Sequence, residues 1–207
     1  MIKSQLFQLI KTLSKQDIRA IRKFLQSPYF NQREDVIDLF NILVLKKEEN
    51  PDRLAVFQQV YPLQEFEEQT LRYVMSYLMK HIKQYFVISA IQEDHFLMEI
   101  QLLQTLKQRG LEQLFEKEWT KAAKRIDQQK WRNATYFSQK HQLHWEHLEF
   151  MLMSRRSGDF PIQALSDELT TAYVANLLWL ACTTLIYQAL GEEKLELKLL
   201  KDVLKFI

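Results

Sequence analysis

The sequence predicts an all-α protein, and three observations carry that prediction. Glycine is scarce, with 3 in 207 residues alongside 4 prolines. Tight hairpin turns draw on glycine, and no Asn-Gly or Asp-Gly pair occurs anywhere in the chain. Apolar residues recur every three or four positions through most of the sequence, the period of an amphipathic helix. Gly110, Gly158 and Gly191 each fall where such a periodic segment stops, the position helices favour for glycine. The expected architecture is an N-terminal helical bundle over 1–90, continuing over 91–207 into antiparallel helical hairpins of the α-solenoid or tetratricopeptide-like kind. It has about ten to eleven helices and no sheet. The full tetratricopeptide spacing itself is missing.

The first helix is expected from about Ile2 to Leu13, with Leu6, Leu9, Ile10 and Leu13 on one face. The second opens at Ser14, whose hydroxyl can accept from the amide of Asp17 while Asp17 reaches back, a capping box. Leu13 and Ile18 take the staple positions around it. Ile18, Ile21 and Leu25 form its apolar stripe, and Ser27-Pro28 stops it because proline disfavours the α region one residue earlier. The third is expected to start at Asn31, with Glu34 completing a second capping box, and to carry Val36, Leu39, Phe40, Leu43 and Val44. Pro51 opens a short fourth helix with Leu54, Phe57 and Val60. A long fifth runs from about Phe66 to Ser89.

Beyond Ala90 the periodic segments are helix six (about Asp94 to Arg109, closed by Gly110 in the left-handed conformation), seven (Leu114 to Ile126) and eight (about Ala134 to Arg155). A short helix follows Pro161, then an apolar one from Thr171 to Leu190, and a last one carrying Leu195 to Leu204. Helix eight shows two apolar lines, Tyr136-Leu143-Phe150 and Phe137-Leu148-Met151, which predicts packing between two neighbours. Leu169 to Gly191 carries no charge and is long enough to span a bilayer. Its scattered Thr170, Thr171, Asn176, Thr183, Thr184 and Gln188 favour a helix buried on all sides instead, and no membrane partner is expected. Cys182, the single cysteine, lies in this run and reads as a small buried hydrophobe. Lys3, Gln5, Gln8 and Lys11 interrupt any secretory leader, so the cytoplasm is the expected compartment. The end at Lys205-Phe206-Ile207, inside an amphipathic pattern, suggests an N-terminal portion of something longer.

Composition and motifs exclude more than they assign. A net charge of +2 implies no nucleic-acid partner by itself. There is no phosphate-cradling glycine loop, no G-x-S-x-G and no His-Glu-x-x-His. His141, His144 and His147 form an H-x-x-H-x-x-H series, but the outer two lie about 120° apart around a helix and cannot easily share one ion. No catalytic residue, metal site or cofactor is expected. His141 and His144, with Trp145, read as core or groove residues, and Glu146 and Glu149 as a solvated pair. Lys15, Arg19, Arg22 and Lys23 share an arc of the second helix that is solvated, paired with Asp35 and Asp38, or a contact surface together with Tyr29. The Tyr29-Phe30 pair reads as an exposed anchor or, more commonly, as a plug packing the turn onto the core.

The segment Leu13 to Asn31, read as L-S-K-x-[DE]-[IL]-R-x-[IL]-R-K-F-L-x-S-P-Y-F-N, resembles the opening of a group of uncharacterised all-helical bacterial proteins. Val56 to Pro62 and Leu71 to Leu78 are similar to their next segment. The resemblance covers about Leu6 to Phe86 and becomes a general likeness to helical-repeat proteins beyond it. It implies an all-helical fold in a longer chain, and no activity or site. The expected function is therefore a non-enzymatic helical scaffold that binds another protein or peptide. The alternative is a nucleic-acid-binding module using the basic helix 15–26.

Overall fold

The computed structural model describes residues 4–47, 51–154, 158–191 and 200–206, the side chains of 201, 202 and 206 excepted. Ten α-helices occupy them, with no strand among the described residues: α1 (Gln5–Thr12), α2 (Lys15–Gln26), α3 (Glu34–Leu45), α4 (Arg53–Val60), α5 (Glu68–Glu93), α6 (His95–Gln108), α7 (Glu112–Asp127), α8 (Ala134–Ser154), α9 (Ile162–Leu190) and α10 (Leu200–Phe206). The chain is all-helical, as its glycine economy and period indicate. Expected positions at Ile2, Arg155, Leu195, Leu199 and Ile207 lie outside the described residues. The helices group into two compact units, Met1–Glu93 and Asp94–Ile207.

In the first unit α3 packs against α1, α2, α4 and α5. One continuous apolar core results, with Phe7, Ile10, Ile21, Leu25, Leu39, Phe40, Phe57 and Leu78 sealed from solvent. The capping box of α2 is present in both halves: the Asp17 amide donates to Ser14 Oγ at 3.1 Å and the Ser14 amide to Asp17 Oδ2 at 2.9 Å. Leu13 is buried and Ile18 packs on the core beside it, as the staple requires. Those hydrogen bonds hold the Asp17 carboxyl below its usual range.

The turn after α2 differs from the sequence expectation. Asn31 does not cap α3, which starts at Glu34, after Arg33, without a side-chain cap. Asn31 is buried instead. Its amide donates to the carbonyls of Leu25 and Arg33, both at 2.9 Å, and its oxygen accepts from the Arg33 amide at 3.2 Å. The physical reason is the C-terminal end of α2, where a buried carbonyl has no helical partner and must find a donor. A two-sided amide meets that need better than a hydroxyl or carboxylate.

In the second unit Gly110 takes a φ of 66°. The Leu111 amide then donates to the Leu106 carbonyl and the Gly110 amide to that of Lys107, each at 3.1 Å, which is the Schellman closure of α6. α8 lies among α6, α7 and α9. Tyr136, Leu143 and Phe150 join the cluster of Ile100, Leu103, Phe115 and Ile126, while Leu148 and Met151 pack with Leu165 of α9. The two apolar lines of α8 thus serve two neighbours. Phe137 departs from the expected division and packs on the first cluster.

α9 corrects two expectations. The segment after Pro161 and the apolar run form one continuous helix of 29 residues. It is not buried on all sides: only 17% of its most apolar stretch is inside the protein. Leu165, Ala172 and Ala181 are buried, whereas Trp179, Leu185, Ile186, Tyr187 and Leu190 are exposed, and so is Cys182. α8 packs extensively along α9 and α10 touches it more lightly, so uncharged residues on its other faces stay exposed. By length and composition α9 is apolar enough to cross a membrane.

Candidate functional site

Three helices of the second unit enclose a cavity of about 380 Å³. Trp119 from α7, His144, His147 and Met151 from α8, and Ala164, Leu165 and Glu168 from α9 line it, with Pro161 at the start of α9. It lies beside α8, whose two apolar lines serve different neighbours. Leu148 and Met151 pack with Leu165 of α9, while His147 stacks on Trp119 of α7 and His144 pairs with Glu168 of α9.

Each polar group in the cavity has a partner. Trp119 stacks on His147 at 3.9 Å between ring centres, and its Nε1 donates to the Leu143 carbonyl at 3.2 Å. His144 Nδ1 meets both oxygens of Glu168, at 2.7 and 2.9 Å. His147 Nε2 meets the carboxylate of Glu116 at 3.2 and 3.3 Å. Lys140 Nζ stands 3.9 Å from Glu168 on the far side, in a neighbouring cavity of about 180 Å³. A His-Glu pair is an arrangement that orients a general base. Among the described lining residues there is no hydroxyl or thiol for it to activate. Among the described residues no three His, Cys, Asp or Glu side chains converge for a metal ion.

Behind the cavity the structure corrects the reading of Glu146 and Glu149 as a solvated pair. Glu146 is buried. Lys107 of α6 reaches across to place its Nζ 2.6 Å from Glu146 Oε2 and 2.6 Å from Glu149 Oε2, and Gln104 adds a third bond to Glu146 at 2.6 Å. Burial alone pushes the Lys107 ammonium down, and the two glutamates outweigh it to raise it. Lys107 in turn holds the Glu149 carboxyl low. This clamp fixes α8 against α6 and so the side of α8 that faces the cavity.

The structure brings together part of the sequence-predicted groove. His144 lines the cavity. His141 and Trp145 do not: their rings lie 6.3 Å apart on another side of α8, and the Trp145 indole donates to Glu149 at 3.0 Å. Sequence reasoning missed Trp119, His147, Met151, Leu165 and Glu168 as a group. The three-residue step from His144 to His147 was a visible signal, whereas nothing in the sequence joins Glu168 to residues 24 positions earlier.

On α2 the basic arc is not paired with Asp35 and Asp38. Asp35 takes Arg33 in a two-pronged bond, at 2.6 and 3.0 Å, and accepts from the Tyr61 hydroxyl as well. Arg22 leaves the arc and gives its Nε to Asn41 at 2.9 Å. Lys15, Arg19 and Lys23 are exposed. The aromatic pair is split: Phe30 stacks on Phe24 at 4.2 Å as a plug, and Tyr29 stands 87% exposed.

Compared with family models, curated proteins and solved structures, the chain finds no match in any of the three.

Proposed function

We propose that this protein is a non-enzymatic, cytoplasmic helical scaffold that binds a segment of another protein, with the α7–α8–α9 cavity as its anchor site. The cavity carries this reading. Its volume of about 380 Å³ lies at the small end of the range for binding pockets, its walls are Trp119, Met151, Pro161, Ala164 and Leu165, and a few polar groups sit at defined places. Aromatic walls of this kind are favoured anchor points between proteins. The repeat-like second half and the resemblance of residues 6–86 to longer all-helical bacterial proteins belong to the same proposal.

Ala164→Arg tests it, because Ala164 is exposed at the cavity and an arginine there fills the space without touching the core. A partner cross-linked to the native protein in lysate of the source cell is expected to be lost with this variant while the circular dichroism stays unchanged. Identical capture profiles for the two proteins would remove the reading. The nucleic-acid alternative rests on three exposed cations, Lys15, Arg19 and Lys23, with a chain charge of only +2 to support them. No shift of DNA or RNA mobility at low salt would end it.

A further inference from the structure

The charges around the cavity narrow what the partner presents, and we infer that the anchor is an arginine side chain of a peptide segment. The inference rests on the proposed scaffold function. The described lining contains one carboxylate, Glu168, half-buried, held by His144 Nδ1 at 2.7 Å and with Lys140 Nζ at 3.9 Å. A second carboxylate, Glu116, stands behind His147. Among the described residues no lysine or arginine lines the space.

Three classes of side chain can be compared against that lining. An acidic one meets the Glu168 carboxylate, and three ring nitrogens already have partners: Trp119 Nε1 on the Leu143 carbonyl, His144 Nδ1 on Glu168 and His147 Nε2 on Glu116. A purely apolar one fills the volume but strips water from Glu168 and returns no donor, which is costly for a carboxylate. An arginine satisfies each wall. Its methylene stem lies along Met151, Leu165 and Ala164, its planar guanidinium can stack on the Trp119 ring, and its forked donors match a carboxylate. Lysine carries the charge but neither the plane nor the fork. The arginine shares Glu168 with His144 or takes it over, so the carboxylate that holds α8 to α9 becomes the recognition group.

The test uses the full chain and four capped pentapeptides, glycine on either side of arginine, citrulline, lysine or phenylalanine. Citrulline keeps the shape of arginine and removes its charge. Binding is read by the indole N–H signal of Trp119 and the methyl signal of Met151 in nuclear magnetic resonance spectra. The arginine peptide is expected to move both signals and to bind about tenfold tighter than the citrulline peptide, with lysine between them. Glu168→Gln is expected to erase the difference between arginine and citrulline. The ligand-side comparison stands even if that variant fails to fold. Citrulline or phenylalanine binding as tightly as arginine overturns the arginine inference and leaves the cavity as an anchor. No peptide moving either signal at millimolar concentration overturns both.

Discussion

The two units spend their polar side chains differently. Around α2 most of the bonds that shape its ends are short-range, Ser14 with Asp17 and Asn31 with Leu25 and Arg33, beside one longer bond from Arg22 to Asn41. Around α8 they are long-range: Lys107 with Glu146 and Glu149, His144 with Glu168, and His147 with Glu116. Short-range polar bonds punctuate the chain around the apolar core of the first unit, whose surface carries a cavity of about 300 Å³ beside Leu6, Leu71 and Met75. Long-range ones bridge helices that do not fully interlock, and a cavity remains beside them. The lesson is that a polar residue inside a helix signals a surface only if no other helix brings it a partner.

The comparison can be broken by mutation. The largest effect is expected for Phe40→Ala in the closed core of the first unit, a loss of about 3–5 kcal/mol, because a fully buried ring leaves a void that close-packed neighbours cannot fill. Urea denaturation measures it. A much smaller loss would mean that the first core is as loosely closed as the second. Next comes Glu146→Ala, about 3 kcal/mol, since it leaves the Lys107 ammonium buried with one partner in place of two. Glu146→Leu combined with Lys107→Met should recover most of that loss. If Glu146→Ala costs no more than a surface substitution, the clamp is solvated and the contrast between the units fails.

Asn31→Ala is expected to cost about 2 kcal/mol by leaving the buried Leu25 carbonyl without its donor. Gln in its place should not rescue it, because the longer arm cannot make both short-range bonds. Ser14→Ala is expected to cost about 1 kcal/mol, the usual loss of an N-cap.

The smallest effect is a pH slope. Asp17 titrates below its ordinary value of 3.8 in the folded chain. Asp35 is lowered too, by the Arg33 hydrogen bonds against opposing burial. A carboxyl with a depressed folded pKa stabilises the fold above its unfolded pKa, and that stability is lost as the pH falls through the folded value. The first unit should therefore soften below about pH 4. In the second, Glu149 acts with the same sign from its ordinary value of 4.5, and Lys107, raised from 10.5, loses its contribution in alkali. Ser14→Ala should flatten the acid slope and leave the alkaline one unchanged. Denaturation midpoints followed from pH 2.5 to 6 decide the acid arm.

How legible the molecule is follows from this distinction. Helix positions, the Ser14 capping box and the Gly110 closure are readable because each depends on residues at most five apart. Asn31 was misread because its sequence setting, three residues before Glu34, matches a capping box. The buried end of α2 made the stronger claim on its amide. The two faces of α8 were readable as periodicity, while the identity of the residues opposite them was not. For α9 the charge-free run is accurate as composition but gives no count of neighbours, so its exposed Trp179 and Leu190 could not be foreseen.

By itself the sequence determined an all-helical chain, most helix limits, the α2 corner and the double-sided character of α8. Backbone propensity, capping and apolar period act over one or two turns and are written in consecutive residues. Tertiary structure alone decided that His144 meets Glu168, that Lys107 clamps Glu146, and that Trp119, Met151 and Leu165 leave a space between three helices. Those pairings join positions 14 to 46 apart, where the fold, and no local preference, sets the distance.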